Sequence, residues 1–257
     1  MITIGIDFGT SGIRASCILN GKATVIPNMY GKDVTTAVVT IDDNNEIAVG
    51  EIAEKRLLTH PHMTAGNIKR YIGRNKEFNL GEYEFSAEEL ASLLLSSIKQ
   101  DAEDFLSEEC TKAVISIPSY YDHFQRIGLI DAAKCAGFKE VDLINESAAC
   151  ALTYADLSES KEMQFIVMTI GAGSFDISIF YLTHGKLHVH SIGGDNSLGG
   201  EDFTYLLEQH FINKTGIFNE ELNESELALI HAEAEKCKLG LSDNMTESMS
   251  VNIKGFD

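Results

Sequence analysis

The sequence predicts an α/β fold of two lobes, the second incomplete. Three observations carry that reading. Strand and helix patterns alternate through roughly the first 160 residues, as an α/β domain requires. The strand–turn–strand–turn–strand arrangement at the start recurs from about residue 165. A polar run, DLSESKEMQ at 156–164, separates the two. The duplication is therefore of a lobe, not of a short repeat. Its expected bounds are 1–160 and 161–257, the second copy being the shorter.

Taken in order, residues 2–7, 13–20 and 23–27 read as a meander with turns at GTSG and NGK, Asn20-Gly21 being a strong hairpin signal. A second hairpin is expected at 36–41 and 46–49 around DDNNE, then a helix at 51–58 and a short one from Asn67 to Ile72. A long helix starts at Ser86, with Glu89 completing a capping box and Leu90, Leu93, Leu94, Ile98, Phe105 and Leu106 on one stripe. KAVISIP is a strand ended by Pro118. A helix over 122–136 follows, capped by Asp122 and closed by Gly137. A strand at 138–144 and a helix through SAACALTYA complete the first lobe. QFIVMTI, FDISIFYL and KLHVHSI are strands of the second. Two helices come next, the later one from near Asn223, boxed by Glu226, to about Leu241. SMSVNIK alternates like a last strand.

The net charge of −19 on 257 residues argues against non-specific nucleic-acid binding, which needs Lys and Arg to meet phosphates. No apolar stretch reaches the roughly 18 residues of a membrane span, and MITIGID reads as a strand rather than a signal peptide, so the cytoplasm is expected. Five cysteines, none in a CxxC pair, read as reduced thiols, with Cys17, Cys135 and Cys150 as small core residues. His188 and His190 lie two apart on a strand, and His60 and His62 flank Pro61. Neither pair has an evident third ligand for a metal.

The chemistry sits in two glycine-rich turns, GIDFGTSG at 5–12 and TIGAGSFD at 169–176. Such a turn presents successive backbone N–H groups to an anion, and glycine allows close approach. Thr10 and Ser11 add hydroxyls. Asp7 can accept hydrogen bonds from the waters around Mg²⁺, which dehydrates reluctantly. One such turn alone also reads as an ordinary hairpin. Two facing each other would hold both sides of a polyphosphate.

With these turns, IPSYYDHFQR from Ile117, LINESAACALTYA from Leu143, GGDNSLGGEDFT from Gly193 and NIKRYIGR from Asn67 resemble the DnaK-type heat-shock chaperones of the actin and hexokinase superfamily. VIPNMYGKDVTT, EIAVG and RLLTHPHMT look most like the HscC-type branch. The resemblance implies a two-lobed actin/hexokinase-like (ribonuclease H-like) ATPase domain, with a subdomain inserted at about 33–110. It implies ATP or ADP with Mg²⁺ as ligands, and co-chaperones or another protein as partners. On it, Asp7, Gly9, Thr10 and Ser11 match the first phosphate loop, and Gly171, Gly173, Ser174 and Asp176 the second. Lys69 matches the lysine that orients the attacking water and γ-phosphate. Taken without the family, it reads as a solvated surface lysine. Glu146 matches a carboxylate reaching the Mg²⁺ shell, as Asp7 and Asp176 do, and it also suits a helix start. Gly199, Gly200 and Glu201 match a turn into a helix, and Glu235, Lys238 and Ser242 an adenosine wall. Pro118 and Arg126 match the pair that couples nucleotide state to the substrate domain. Otherwise they are a strand end and a surface charge.

Three positions depart from the family pattern. Thr169 stands where an Mg²⁺-shell aspartate is expected, Ala172 replaces a glycine that can need φ > 0, and Ser147 replaces the proline of INEP. The resemblance also implies a longer second lobe and a peptide-binding domain beyond the sequence. On that reading the second sheet lacks neighbours and exposes an edge and apolar surface, a route to self-association. The expectation is a chaperone ATP-binding domain with weakened hydrolysis. The alternatives are an interaction module without turnover and, further off, a sugar kinase.

Overall fold

The N-terminal sheet is built around a meander, β1 (Thr3–Phe8), β2 (Gly12–Leu19) and β3 (Lys22–Ile26), which the Asn20-Gly21 turn closes with both residues at positive φ. The coordinates come from a computed structural model that describes residues 2–154, 162–217 and 222–253. The chain then forms β4 (Thr35–Thr36), β5 (Val39–Ile41), β6 (Ile47–Val49), α1 (Glu51–Thr59), β7 (Thr64–Ala65) and a 3₁₀ turn at Ile68–Tyr71. A hairpin of β8 (Glu77–Leu80) and β9 (Tyr83–Ser86) leads into α2 (Ala87–Leu106). β10 (Lys112–Ile117), α3 (His123–Cys135), β11 (Glu140–Asn145) and α4 (Glu146–Tyr154) follow. The sheet runs β11-β10-β1-β2-β3, with β4 also on β2. β1, β10 and β11 are parallel, and β2 and β3 antiparallel to their neighbours.

Apolar alternation decides which face each strand buries. Ile4, Ile6 and Phe8 of β1 share a core with Ala113, Ile115 and Ile117 of β10 and with Leu90, Leu94 and Ile98 of α2. α2 starts at the expected capping box of Ser86 with Glu89, and α3 at the expected Asp122 cap, which Gln125 turns into a box that was not expected. At the C-terminal ends of the parallel strands the chain presents Asp7, the Pro118–Ser119 loop and Glu146, the usual address of a ligand in an α/β sheet.

The second sheet is the meander β12 (Met163–Ile170), β13 (Phe175–Thr183) and β14 (Lys186–Asp195), followed by α5 (Gly200–Thr215) and α6 (Glu224–Asp243). Asn223 and Glu226 form the expected box on α6. α4 packs against strands of both sheets. Most of the polar boundary expected at 156–164 lies outside the described residues. Ile166, Met168 and Ile170 project from one face of β12 at 59, 64 and 64 % exposure. No described strand pairs with the outer edges of β12 or β14. No helix among the described residues is long and apolar enough to cross a membrane.

Several expectations need correction. The alternating SMSVNIK segment forms no strand over its described residues. Met249, Val251 and Ile253 instead pack on Phe211, Ile212 and Ile230 of the two helices, because no neighbouring strand offers its backbone a ladder. The β8–β9 hairpin, turned by Gly81 at φ 63°, was not expected. Among the cysteines, Cys17 is buried, but Cys135 is exposed and Cys150 half-exposed.

Candidate functional site

A cleft of about 460 Å³ runs between the two glycine turns. It is lined by Asp7 and the Gly9–Gly12 turn on one side and by Thr169–Ser174 on the other. Lys69, Glu146 and Cys150 lie between them. The turns touch: a Cβ on Gly173 would stand 2.5 Å from Thr10 Oγ1, so only glycine allows the approach. Gly9 is required for its own tight turn, where a Cβ would meet Gly12 O at 2.2 Å. Ala172, by contrast, is not at positive φ, and its methyl group meets no backbone restriction.

Lys69 sits on the 3₁₀ turn and is 6 % exposed, so the solvated surface lysine is ruled out. Its Nζ donates to Glu146 Oε1 at 2.5 Å, a charge-assisted bond between positions 77 apart in the sequence. Tyr121 fixes the turn from behind by donating its hydroxyl to Lys69 O at 2.9 Å, and burial pushes that phenol far above its usual range. Asp7 is half-exposed. Its Oδ1 accepts from Ser116 Oγ at 3.0 Å, and Arg14 Nη1 stands 3.8 Å from Oδ2. Arg14 was missed in the sequence reading. The hairpin register shows it, since Asp7 and Arg14 are direct partners across β1 and β2.

Asp176 does not line the cleft. It lies beneath the second turn, 1 % exposed, directly opposite Thr169 in the β12–β13 register. Oδ1 accepts from the Ser119 amide at 3.0 Å, while Oδ2 is buried with no partner among the described residues. Burial pushes its pKa up, Glu146 adds to the rise, and the Ser119 bonds and Lys69 oppose it.

Gly199, Gly200 and Glu201 brace the second turn rather than line the cleft. The amides of Gly200 and Glu201 donate to Gly171 O and Ala172 O at 3.0 and 2.8 Å. Glu235 and Lys238 turn toward each other, 2.5 Å apart, and both bond Thr204. Burial raises the Glu235 pKa, and the Lys238 and Thr204 bonds outweigh it, leaving the carboxyl below its usual value. Ser242 is exposed in the last turn of α6. None of these three lines the cleft. Pro118 borders a small cavity behind the turns. Arg126 Nε donates to Tyr121 O at 2.9 Å and so holds the loop that carries Ser119.

Two further side-chain pairs join the halves of the molecule. Arg70 Nη2 donates to both oxygens of Asp202 at 2.7 Å, and Asn67 Nδ2 to Glu201 Oε2 at 3.0 Å. Among the described residues no group of three His, Cys, Asp or Glu could hold a metal directly, the four paired histidines included. The donor set fits a cation that keeps its waters: an accessible Asp7 carboxylate, the Thr10, Ser11 and Ser174 hydroxyls, and the unpartnered Asp176 oxygen below.

Two glycine turns thus meet across a cleft, with a lysine–glutamate pair buried beside them. The Hsp70 protein family model matches residues 3–79 and 75–257. The sequence is 36% identical over 260 aligned positions to Chaperone protein DnaK of Methanothermobacter thermautotrophicus, across 96% of this chain and 43% of that protein. The chain belongs to the Hsp70 family. It spans less than half the length of that curated relative. The family match does not favour a partner-binding module without nucleotide, or a sugar kinase.

Proposed function

We propose that the cleft binds Mg-ATP and hydrolyses it slowly, as the nucleotide-binding part of a DnaK-type chaperone. The buried Lys69–Glu146 pair, set beside the touching turns, carries the reading. The β- and γ-phosphates fit against the amides and hydroxyls of Gly9–Ser11 and Gly171–Ser174. Lys69 is placed to hold the attacking water and to stabilise charge on the γ-phosphoryl oxygens, with Glu146 fixing its direction. Asp7 and Glu146 would hold a hydrated Mg²⁺, and Asp176 would join them from below. When bound, that ion neutralises phosphate charge. Thr169 offers a hydroxyl where a carboxylate would add charge, which supports slow turnover. Glu235, Lys238 and Ser242 would reach the adenosine only after the Glu235–Lys238 pair reorients.

We further infer that a co-chaperone or another protein partner acts on this unit, with Pro118 and Arg126 relaying nucleotide state through the Ser119 loop. The bare Ile166–Met168–Ile170 face is the surface for self-association. Phosphate release from Mg-ATP tests the central reading. Wild type should exceed Lys69→Ala by about tenfold or more, as loss of a charged transition-state contact requires. Equal rates would show that the cleft is not catalytic.

A further inference from the structure

Three buried hydroxyls form a line that a proline at position 147 would break. Ser119 follows β10, Ser147 lies in the first turn of α4, and Ser178 is on β13. They are 5, 1 and 0 % exposed. Ser178 Oγ donates to Ser147 Oγ at 2.8 Å, and the Ser147 and Ser119 hydroxyls are 3.0 Å apart. A hydroxyl donates once. Ser147 thus accepts from Ser178 and shares a second hydrogen bond with Ser119, in which either hydroxyl can donate. The backbone amide of that same Ser119 donates to Asp176 Oδ1 at 3.0 Å, so the line ends at the carboxylate.

We propose that Ser147 is a positioning residue for Asp176. Through Ser119 it fixes the amide that holds the carboxylate, and through Ser178 it ties that loop to the β12–β14 sheet. Thr169, the cross-strand partner of Asp176, brings no charge, so the orientation of the remaining carboxylate matters more. The catalytic consequence rests on the Mg-ATP reading. The geometric claim does not.

The test is amide hydrogen exchange at Ser119, followed by NMR in wild type, Ser147→Ala and Ser147→Thr. Ser147→Ala should speed exchange at Ser119 about tenfold, with Leu94 and Ile115 unchanged and Ser147→Thr restoring most of the protection. In parallel, kcat for ATP should fall about tenfold in Ser147→Ala with KM within about twofold, the pattern of a lost transition-state contact. Unchanged exchange at Ser119 overturns the proposal whether or not ATP is hydrolysed. An equal rise at Leu94 and Ile115 also overturns it, since it makes Ser147 merely structural. Faster exchange at Ser119 in a protein that hydrolyses no ATP leaves the positioning role standing and removes the Mg-ATP reading. If Ser147→Ala does not fold, Ser178→Ala is measured in the same way, and no increase there overturns the claim.

Discussion

At the scale of single residues, the cleft is defined by one missing charge and one buried one. Thr169 lines the cleft without a carboxylate. A charge-assisted hydrogen bond contributes about 1.5–3 kcal/mol, so Thr169→Asp should raise turnover in Mg²⁺ by roughly ten- to a hundredfold. Steady-state kinetics check this, and no gain would show that position 169 does not face the metal shell. Asp176 is the buried charge. Its pKa is raised above the usual 3.8, so the folded state holds the proton more tightly than the unfolded chain. Stability is therefore lost as pH rises from 3.8 through the raised value, and the cost stays constant above it. Asp176→Asn should melt higher than wild type at pH 7, with the gap closing as pH falls toward 4, while ATP turnover drops. Thermal melts across pH measure the first effect. A lower melting temperature at pH 7 would mean the Ser119 bonds outweigh the burial.

At the scale of elements, the turns and caps follow from local rules that the sequence displays. Ser86 and Asn223 each form the box that their spacing announces, and Asp122 caps its helix as expected. Other features depend on partners distant in sequence. Lys69 looks like a surface lysine until Glu146, 77 positions away, is brought to it. The segment at 248–253 has a strand's alternation, but alternation only selects a face. Without a ladder to join, it lies on α5 and α6. Likewise the glycines at 199 and 200 belong to the familiar motif, and the helix end they open bonds the neighbouring turn, which that motif does not announce. Gly173 is where an element-level rule is sharpest. Gly173→Ala must push the two turns apart, because its Cβ has 2.5 Å to Thr10 Oγ1. We expect nucleotide affinity to fall about tenfold or more with helix content unchanged, the cost of a misplaced cradle. Calorimetry with circular dichroism decides it, and unchanged affinity would place the phosphates elsewhere.

At the scale of the whole molecule, the account concerns how two sheets are held over one cleft. The joints among the described residues include α4 between the sheets, the packing of α6 on α1, the serine line, and the Arg70–Asp202 and Asn67–Glu201 pairs. Arg70→Ala removes one of these joints. Because the pair is partly solvated, the effect should be modest, about a three- to tenfold faster release of a fluorescent ATP analogue. Stopped-flow displacement measures it, and an unchanged rate would mean this joint does not gate the cleft. The net charge of −19 makes the site unusual, since an acidic molecule must gather an anion. Short-range donors and a cation have to overcome the surrounding field.

That requirement gives the most direct test of the central claim, that the cleft between the two turns takes Mg-ATP. ATP is titrated into the protein by calorimetry, with and without Mg²⁺. The account predicts saturable binding at about one site per chain that strengthens with Mg²⁺ and disappears in Gly173→Ala. A folded protein that takes up no ATP under either condition would contradict it.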